Sequence, residues 1–134
     1  MVIHQSDEEA IKALWQRAID ALEDSDWQAY ETVWAHESHA QAIHPATGSW
    51  WTGWQEIGPR YRRIIEKGVP IRGSTRRMDM HVGPGGHVGW AAIESEVKTG
   101  KTGQRLAWQV VVFQKTDGEW RMVLAFDAPR RGSG

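Results

Sequence analysis

The residue best suited to chemistry is His44, in the stretch His44-Pro45-Ala46-Thr47-Gly48-Ser49-Trp50-Trp51-Thr52-Gly53-Trp54. An imidazole changes charge near neutral pH and can take or give a proton there. Its other possible role is a hydrogen-bonded histidine at a strand end, serving orientation alone. Trp50, Trp51 and Trp54 offer flat surfaces that either stack on a ligand or close an open end of the core. Tyr61, Trp90 and Trp108 are further candidates for ligand contact. Glu94 and Glu96 share a strand face with Trp90 and Ala92. Pointing inward, Glu94 would be a second acid or base beside His44; pointing outward, it is one of a solvated pair with Lys98.

Other groupings lead less far. In an extended strand His36 and His44 share a face while His39 points away, and no carboxylate completes a ligand set. No metal or cofactor is therefore expected. Arg60, Arg62, Arg63, Arg72, Arg76 and Arg77 are divided between a helix and a strand, and the formal charge is -1. Nucleic acid and anionic membrane are not expected partners, since both need one net basic face. Without cysteine there is no thiolate nucleophile, disulfide or sulfur-ligated metal. No leader-like N-terminus and no span of membrane length is found, so a cytoplasmic protein is expected. The 134 residues suit one domain, with a core over 6–128 and a frayed tail from Arg130 to Gly134.

Three capping boxes would start the helices that position these groups: Ser6-Asp7-Glu8-Glu9, Ser25-Asp26-Trp27-Gln28 and Thr52-Gly53-Trp54-Gln55. Ile11, Leu14, Trp15, Ala18 and Leu22 make the stripe of the first helix. Trp54, Ile57, Tyr61, Ile64 and Ile65 make that of the third, with a kink or restart expected at Gly58-Pro59. A short strand is expected within 36–44. From Ile71 the period is two, giving strands at 71–82, 87–98, 104–115 and 119–128, with Asp117-Gly118 a strong hairpin signal. In the last strand, strict alternation puts Trp120, Met122, Leu124 and Phe126 on one face. Asp127 falls opposite, within reach of Arg130 or Arg131. The class is α+β, three helices on a strongly bent, mainly antiparallel sheet.

This order, with His44-Pro45, Gly48, Trp51-Thr52-Gly53-Trp54, Val88-Gly89-Trp90-Ala91 and Gly118-Glu119-Trp120-Arg121-Met122-Val123, resembles the nuclear transport factor 2-like superfamily in its SnoaL-like branch. The resemblance implies a cone-shaped α+β barrel with a deep pocket, and commonly a homodimer formed through the sheet. It extends to isomerases, cyclases and dehydratases as well as non-catalytic association domains, so it does not fix activity. His44 occupies the place of the ketosteroid isomerases' catalytic aspartate. Their oxyanion donors fall at Ala18 and Val111, which have none to give. A dehydratase-type dyad would fall at Glu23 or Asp24 and at Arg72. The expected function is binding of a small apolar or aromatic molecule, with proton transfer by His44 and Glu94 where the domain is catalytic. The alternative is a dimerisation or ligand-sensing domain with a filled cone and an apolar sheet face.

Overall fold

The three helices start by three different devices in the computed structural model of the chain, which describes residues 6–100 and 103–130. Helix α1 (Asp7–Glu23) begins at Ser6, whose Oγ accepts from the Glu9 amide at 3.2 Å. Asp7, Glu8 and Glu9 fill its first turn, where the helix dipole favours negative charge. Helix α2 (Trp27–Glu31) is capped by Asp26 rather than Ser25: Asp26 Oδ1 accepts from the Ala29 amide at 3.1 Å, and Ser25 takes a left-handed turn at φ 52°. Helix α3 (Trp54–Glu66) starts from Gly53 at φ 80° with no side-chain cap. The Thr52 hydroxyl donates instead to Gln41 Oε1 at 3.2 Å. The expected restart at Gly58-Pro59 does not occur. Helix α3 runs through Pro59, with Ile57, Gly58, Tyr61 and Ile65 buried along one side.

The strand expected within 36–44 shortens to β1 (Gln41–His44) and gains a partner, β2 (Ser49–Thr52). Pro45 opens a 3-10 turn over Pro45–Thr47, and Gly48 closes it at φ 70°, where a side chain would be strained. His44 and Ser49 therefore face each other across a tight hairpin. The meander follows as β3 (Ile71–Val82), β4 (Val88–Thr99), β5 (Arg105–Thr116) and β6 (Glu119–Pro129), each boundary within one residue of expectation. Asp117 and Gly118 both have positive φ, 53° and 79°, as a type I′ hairpin turn requires. Lys101, Thr102 and Arg131–Gly134 lie outside the described residues.

The strands form one six-stranded mixed sheet in the order β2-β1-β6-β5-β4-β3. All neighbours are antiparallel except β1 and β6. The sheet is open, with β2 and β3 as its edges, so the α+β cone is not a closed barrel. Two register shifts mark β-bulges, which bend strands. One places Arg76 as an extra residue in β3; the other places Val123 as an extra residue in β6. The inner face carries Ala91, Ile93, Val111, Phe113, Trp120 and Met122, packed with Ile11, Leu14 and Ala18 of α1. Asp7 pins the start of α1 to the β5–β6 hairpin: its Oδ1 accepts from Trp120 Nε1 at 3.0 Å and Lys115 Nζ at 3.1 Å. Those two donors hold its carboxyl below the ordinary range. Among the described residues, no helix is long and apolar enough to cross a membrane.

Close approach of α1 to the sheet depends on Gly89. A Cβ there would lie 3.0 Å from Ile11 Cδ1 and 3.1 Å from the His81 carbonyl oxygen. Gly89→Ala is expected to destabilise the fold by about 1–3 kcal/mol through overpacking, measured as a lower urea midpoint with unchanged slope.

Candidate functional site

Between α1, α3 and the inner sheet face lies a cavity of about 740 Å³, lined mainly by apolar side chains that include Trp15, Ile19, Leu22, Trp51 and Val97. This volume fits a drug-sized ligand. The polar groups in its wall include Tyr30, His44, Thr47, Ser49, Tyr61, Ser95, Thr99, Arg105, Gln109 and Asp127.

His44 reaches the cavity from the last residue of β1, turned by Pro45. Its Nε2 is hydrogen-bonded to the Tyr61 hydroxyl at 2.8 Å, and its ring meets Trp51 edge-on at 5.2 Å. Tyr61 in turn packs on Tyr30, ring centroids 5.1 Å apart. Trp34 Nε1 donates to the Tyr30 hydroxyl at 3.2 Å. Burial pushes the Tyr30 hydroxyl up to about 12 and that of Tyr61 well above its ordinary value. Both tyrosines therefore keep their protons throughout the neutral range.

Asp127 enters from the neighbouring strand, one position beyond the Ile43–Phe126 pairing of β1 with β6. Sequence alternation placed it outside, and the bulge at Val123 overturns that reading. Before the bulge Met122 pairs with Phe113; after it Leu124 pairs with Val112, Ala125 with Val111 and Asp127 with Gln109. One extra residue exchanges the two faces of the strand, so Ala125 and Asp127 join Trp120 and Met122 inside. The expected pairing of Asp127 with Arg130 does not form; Arg130 approaches Glu94 at 3.8 Å instead. Arg131, the other proposed partner, lies outside the described residues.

Asp127 Oδ1 is buried and has no hydrogen-bond partner among the described residues. Burial raises the Asp127 carboxyl above its ordinary value, against the pull of Arg105 and His44. Burial likewise lowers His44, with Arg105 adding to the effect and Asp127 opposing it. Desolvation thus favours the neutral forms of both groups. An acid and a base whose values move toward each other in a water-poor pocket are suited to holding and exchanging a proton. Beside them, Ser95 Oγ donates to Gln109 Oε1 at 2.8 Å.

The other sequence candidates divide clearly. Trp51 and Tyr61 line the cavity as expected. Glu94 does not: it lies on the outer sheet face, where Trp108 Nε1 donates to its Oε2 at 3.2 Å. Its neighbours Ile93, Ser95 and Val97 are the buried ones, since the pleat of β4 sends alternate residues to opposite sides. Trp90 and Trp108, 44% and 54% exposed, share that outer face and are not in the cavity wall. Trp50 is 67% exposed on edge strand β2, bonded to Gln41. Trp54 stacks between His36 and Trp27, at 4.1 and 6.0 Å, and takes no part in the cavity. His36, His39 and His44 bond to the Glu31 carbonyl, Gln114 and Tyr61 respectively, and do not converge. Ala18 and Val111 do line the cavity, without donors, while Arg72 and Glu23 stand 4.0 Å apart as an exposed pair. The missed residues are Asp127, Tyr30 and Gln109. Asp127 was hidden by the bulge, and Tyr30 looked like ordinary core.

The sequence profile of the SnoaL-like domain matches residues 11–125. No curated protein matches at a significant level. Among solved structures, a nuclear transport factor 2-like superfamily protein from Salmonella enterica serovar Typhimurium superposes with a TM-score of 0.82 at 17% identity, covering 96% of this chain and 94% of that one. A provisionally assigned dehydratase of the same family from Streptomyces avermitilis gives 0.80 at 16%, covering 92% and 96%. A provisionally assigned calcium/calmodulin-dependent kinase type II association domain from Thiobacillus denitrificans gives 0.71 at 18%, covering 90% and 94%. These likenesses establish the fold.

The raised Asp127 carboxyl has a consequence for stability. The fold favours its neutral form, so this contribution is complete below the unfolded value near 3.8 and is lost as pH rises through the folded value. Asp127→Asn, neutral at every pH, is therefore expected to stabilise the protein at pH 8 by about 1 kcal/mol. That corresponds to roughly 4 °C in Tm, and the gain should vanish near pH 3. His44 has the opposite sign, its contribution present above 6.5 and lost as pH falls toward its depressed folded value.

Proposed function

Because the chain belongs to the SnoaL-like domain family, we propose that its cavity binds a small, mostly apolar or aromatic molecule and transfers a proton on it, as in an isomerisation, dehydration or cyclisation. The observation that carries this reading is the buried, unpartnered Asp127 Oδ1 in the same apolar cavity as His44. An orphaned carboxyl oxygen costs stability. Sites that do so are the expected place for a ligand's donor or a transferable proton. Trp51 and Trp15 supply flat walls, and Asp127 takes the second proton-handling role that Glu94, on the other face, cannot fill.

A cyclic enone and a β-hydroxy ketone are suitable first substrates. Asp127→Asn is expected to reduce turnover about 10²–10⁴-fold, the usual contribution of one general acid or base. Unchanged turnover would remove Asp127 from the chemistry. Quenching of tryptophan fluorescence checks binding separately, since Trp15 and Trp51 line the cavity.

A homodimer through the outer sheet face is a second, compatible reading. Registered neighbours there form an apolar row of Trp50, Ile43, Phe126, Val110 and Ala92, flanked by Trp90 and Trp108. Large exposed patches of this kind on a soluble domain mark contact surfaces, and the row's self-complementary apolar character suits a second copy. Light scattering at micromolar concentration is expected to give twice the 15.2 kDa chain mass, and Val110→Glu to return it to the monomer value. A monomeric wild-type protein would end this reading.

A further inference from the structure

Gln109 and Asp127 are direct neighbours across β5 and β6, and both line the cavity. Side chains placed opposite each other in a ladder are close enough to interact, and a carboxamide N–H suits a carboxyl oxygen. Here the two do not bond: Asp127 Oδ1 has no hydrogen-bond partner among the described residues. The reason lies on the other side of β5. Ser95 of β4 sits diagonally across from Gln109, and its Oγ donates to Gln109 Oε1 at 2.8 Å. Ser95 is 2% exposed, and a buried hydroxyl spends its proton on an acceptor; Gln109 Oε1 is the acceptor it reaches. This bond ties the carboxamide to β4 by its oxygen. It leaves the amide nitrogen, a pure donor, without a partner among the described residues.

We propose that Ser95 holds Gln109 apart from Asp127 so that the two form a split donor–acceptor pair, which recognises a hydroxy ketone by its carbonyl oxygen and its hydroxyl. The inference rests on the proposed ligand-binding role of the cavity and deepens it by naming the ligand's polar groups. Gln109 has only its N–H donors to offer, since its oxygen is used by Ser95, and so it takes the carbonyl oxygen. Asp127 Oδ1 takes the hydroxyl proton, which removes the cost of an orphaned carboxyl oxygen. Paired Cα atoms in such a ladder lie about 4.5–5.5 Å apart, so the two ligand oxygens belong on adjacent carbons or one carbon apart. Trp15, Leu22 and Val97 in the same wall leave the rest of the ligand apolar. Gln109 is then a specificity-determining residue and Ser95 its positioning residue. The charged and titratable groups facing Asp127 are Arg105, His44, Tyr30 and Tyr61, and none of them bonds Oδ1.

Calorimetric binding of tetralin, α-tetralone and 2-hydroxy-1-tetralone tests this, since each compound adds one polar group to the last. Each step is expected to tighten binding roughly fivefold, the scale of one net hydrogen bond. Gln109→Met should remove the first gain and Asp127→Ala the second. Equal binding of tetralin and α-tetralone, or a carbonyl gain that survives in Gln109→Met, overturns the donor role of Gln109. Equal binding of the two ketones overturns the acceptor role of Asp127. Where Gln109→Met fails to fold, the Gln109 side-chain amide signals of the wild-type protein decide: α-tetralone should shift them and tetralin should not, and equal shifts overturn the assignment. Ser95→Ala frees Gln109 to turn to Asp127, so the Asp127 carboxyl, followed by carbon-13 NMR, should titrate at lower pH. Ser95→Thr, which keeps the hydroxyl, should titrate as the wild type does. An unchanged titration in Ser95→Ala removes Ser95 as the positioning residue. If none of the three compounds binds, the ligand-cavity reading fails and the hydroxy-ketone class with it, whereas the split pair is judged by the Ser95 titrations.

Discussion

The single extra residue at Val123 is the constraint on which the interior depends. Without it the pleat of β6 would keep its phase, Leu124 and Phe126 would fill the cavity, and Asp127 would face solvent. With it, Trp120 and Met122 belong to the core, Met122 also touching the cavity, while Ala125 and Asp127 line the cavity beyond the bulge. The bulge therefore divides one strand into a packing half and a chemical half. A small residue and a carboxylate in the second half leave both the space and the polarity for a ligand.

The second requirement is that a hollow interior be enclosed by groups that do not themselves collapse into it. The aromatic cluster of Tyr30, Trp34, Trp51 and Tyr61 meets that requirement through inclined ring contacts at 5.1–5.9 Å. Rings braced in this way resist rotating into the void. The same cluster carries the Tyr61 hydroxyl that bonds His44, so rigidity and polarity in this wall come from the same side chains.

Much of this was legible in the sequence. Periodicity located α1, α3 and the four long strands, and Asp117-Gly118 marked its hairpin, because these signals are local. His44, Trp51 and Tyr61, singled out for chemistry beside a proline, for aromatic surface and for a place on the buried stripe of α3, do stand in the cavity wall. What escaped depended on pairing rather than pattern. Residues 49–52 became a strand only because β1 was there to receive them, and a bulge exists only relative to the partner strand it fails to match. Glu94 failed for a related reason: its alternation with Trp90 was read correctly, but which face of β4 points inward is decided by where α1 packs. Tryptophan abundance misled in the same way, since Trp50, Trp90 and Trp108 belong to the outside of the sheet.

The open sheet leaves β3 as a free edge, and the arginines considered for nucleic acid take on a different meaning there. An unpaired strand edge is a template on which another chain can add a strand. Along β3, Arg72 approaches Glu23, Arg76 pairs with Glu96 at 3.3 Å and Arg77 with Asp79 at 3.0 Å, and the strand is broken by its own bulge at Arg76. Any incoming strand would have to desolvate these charges and match an irregular ladder. The edge is thereby guarded against fibrous growth while its ion pairs leave the charge nearly balanced, so the domain can remain discrete without becoming a polyanion trap.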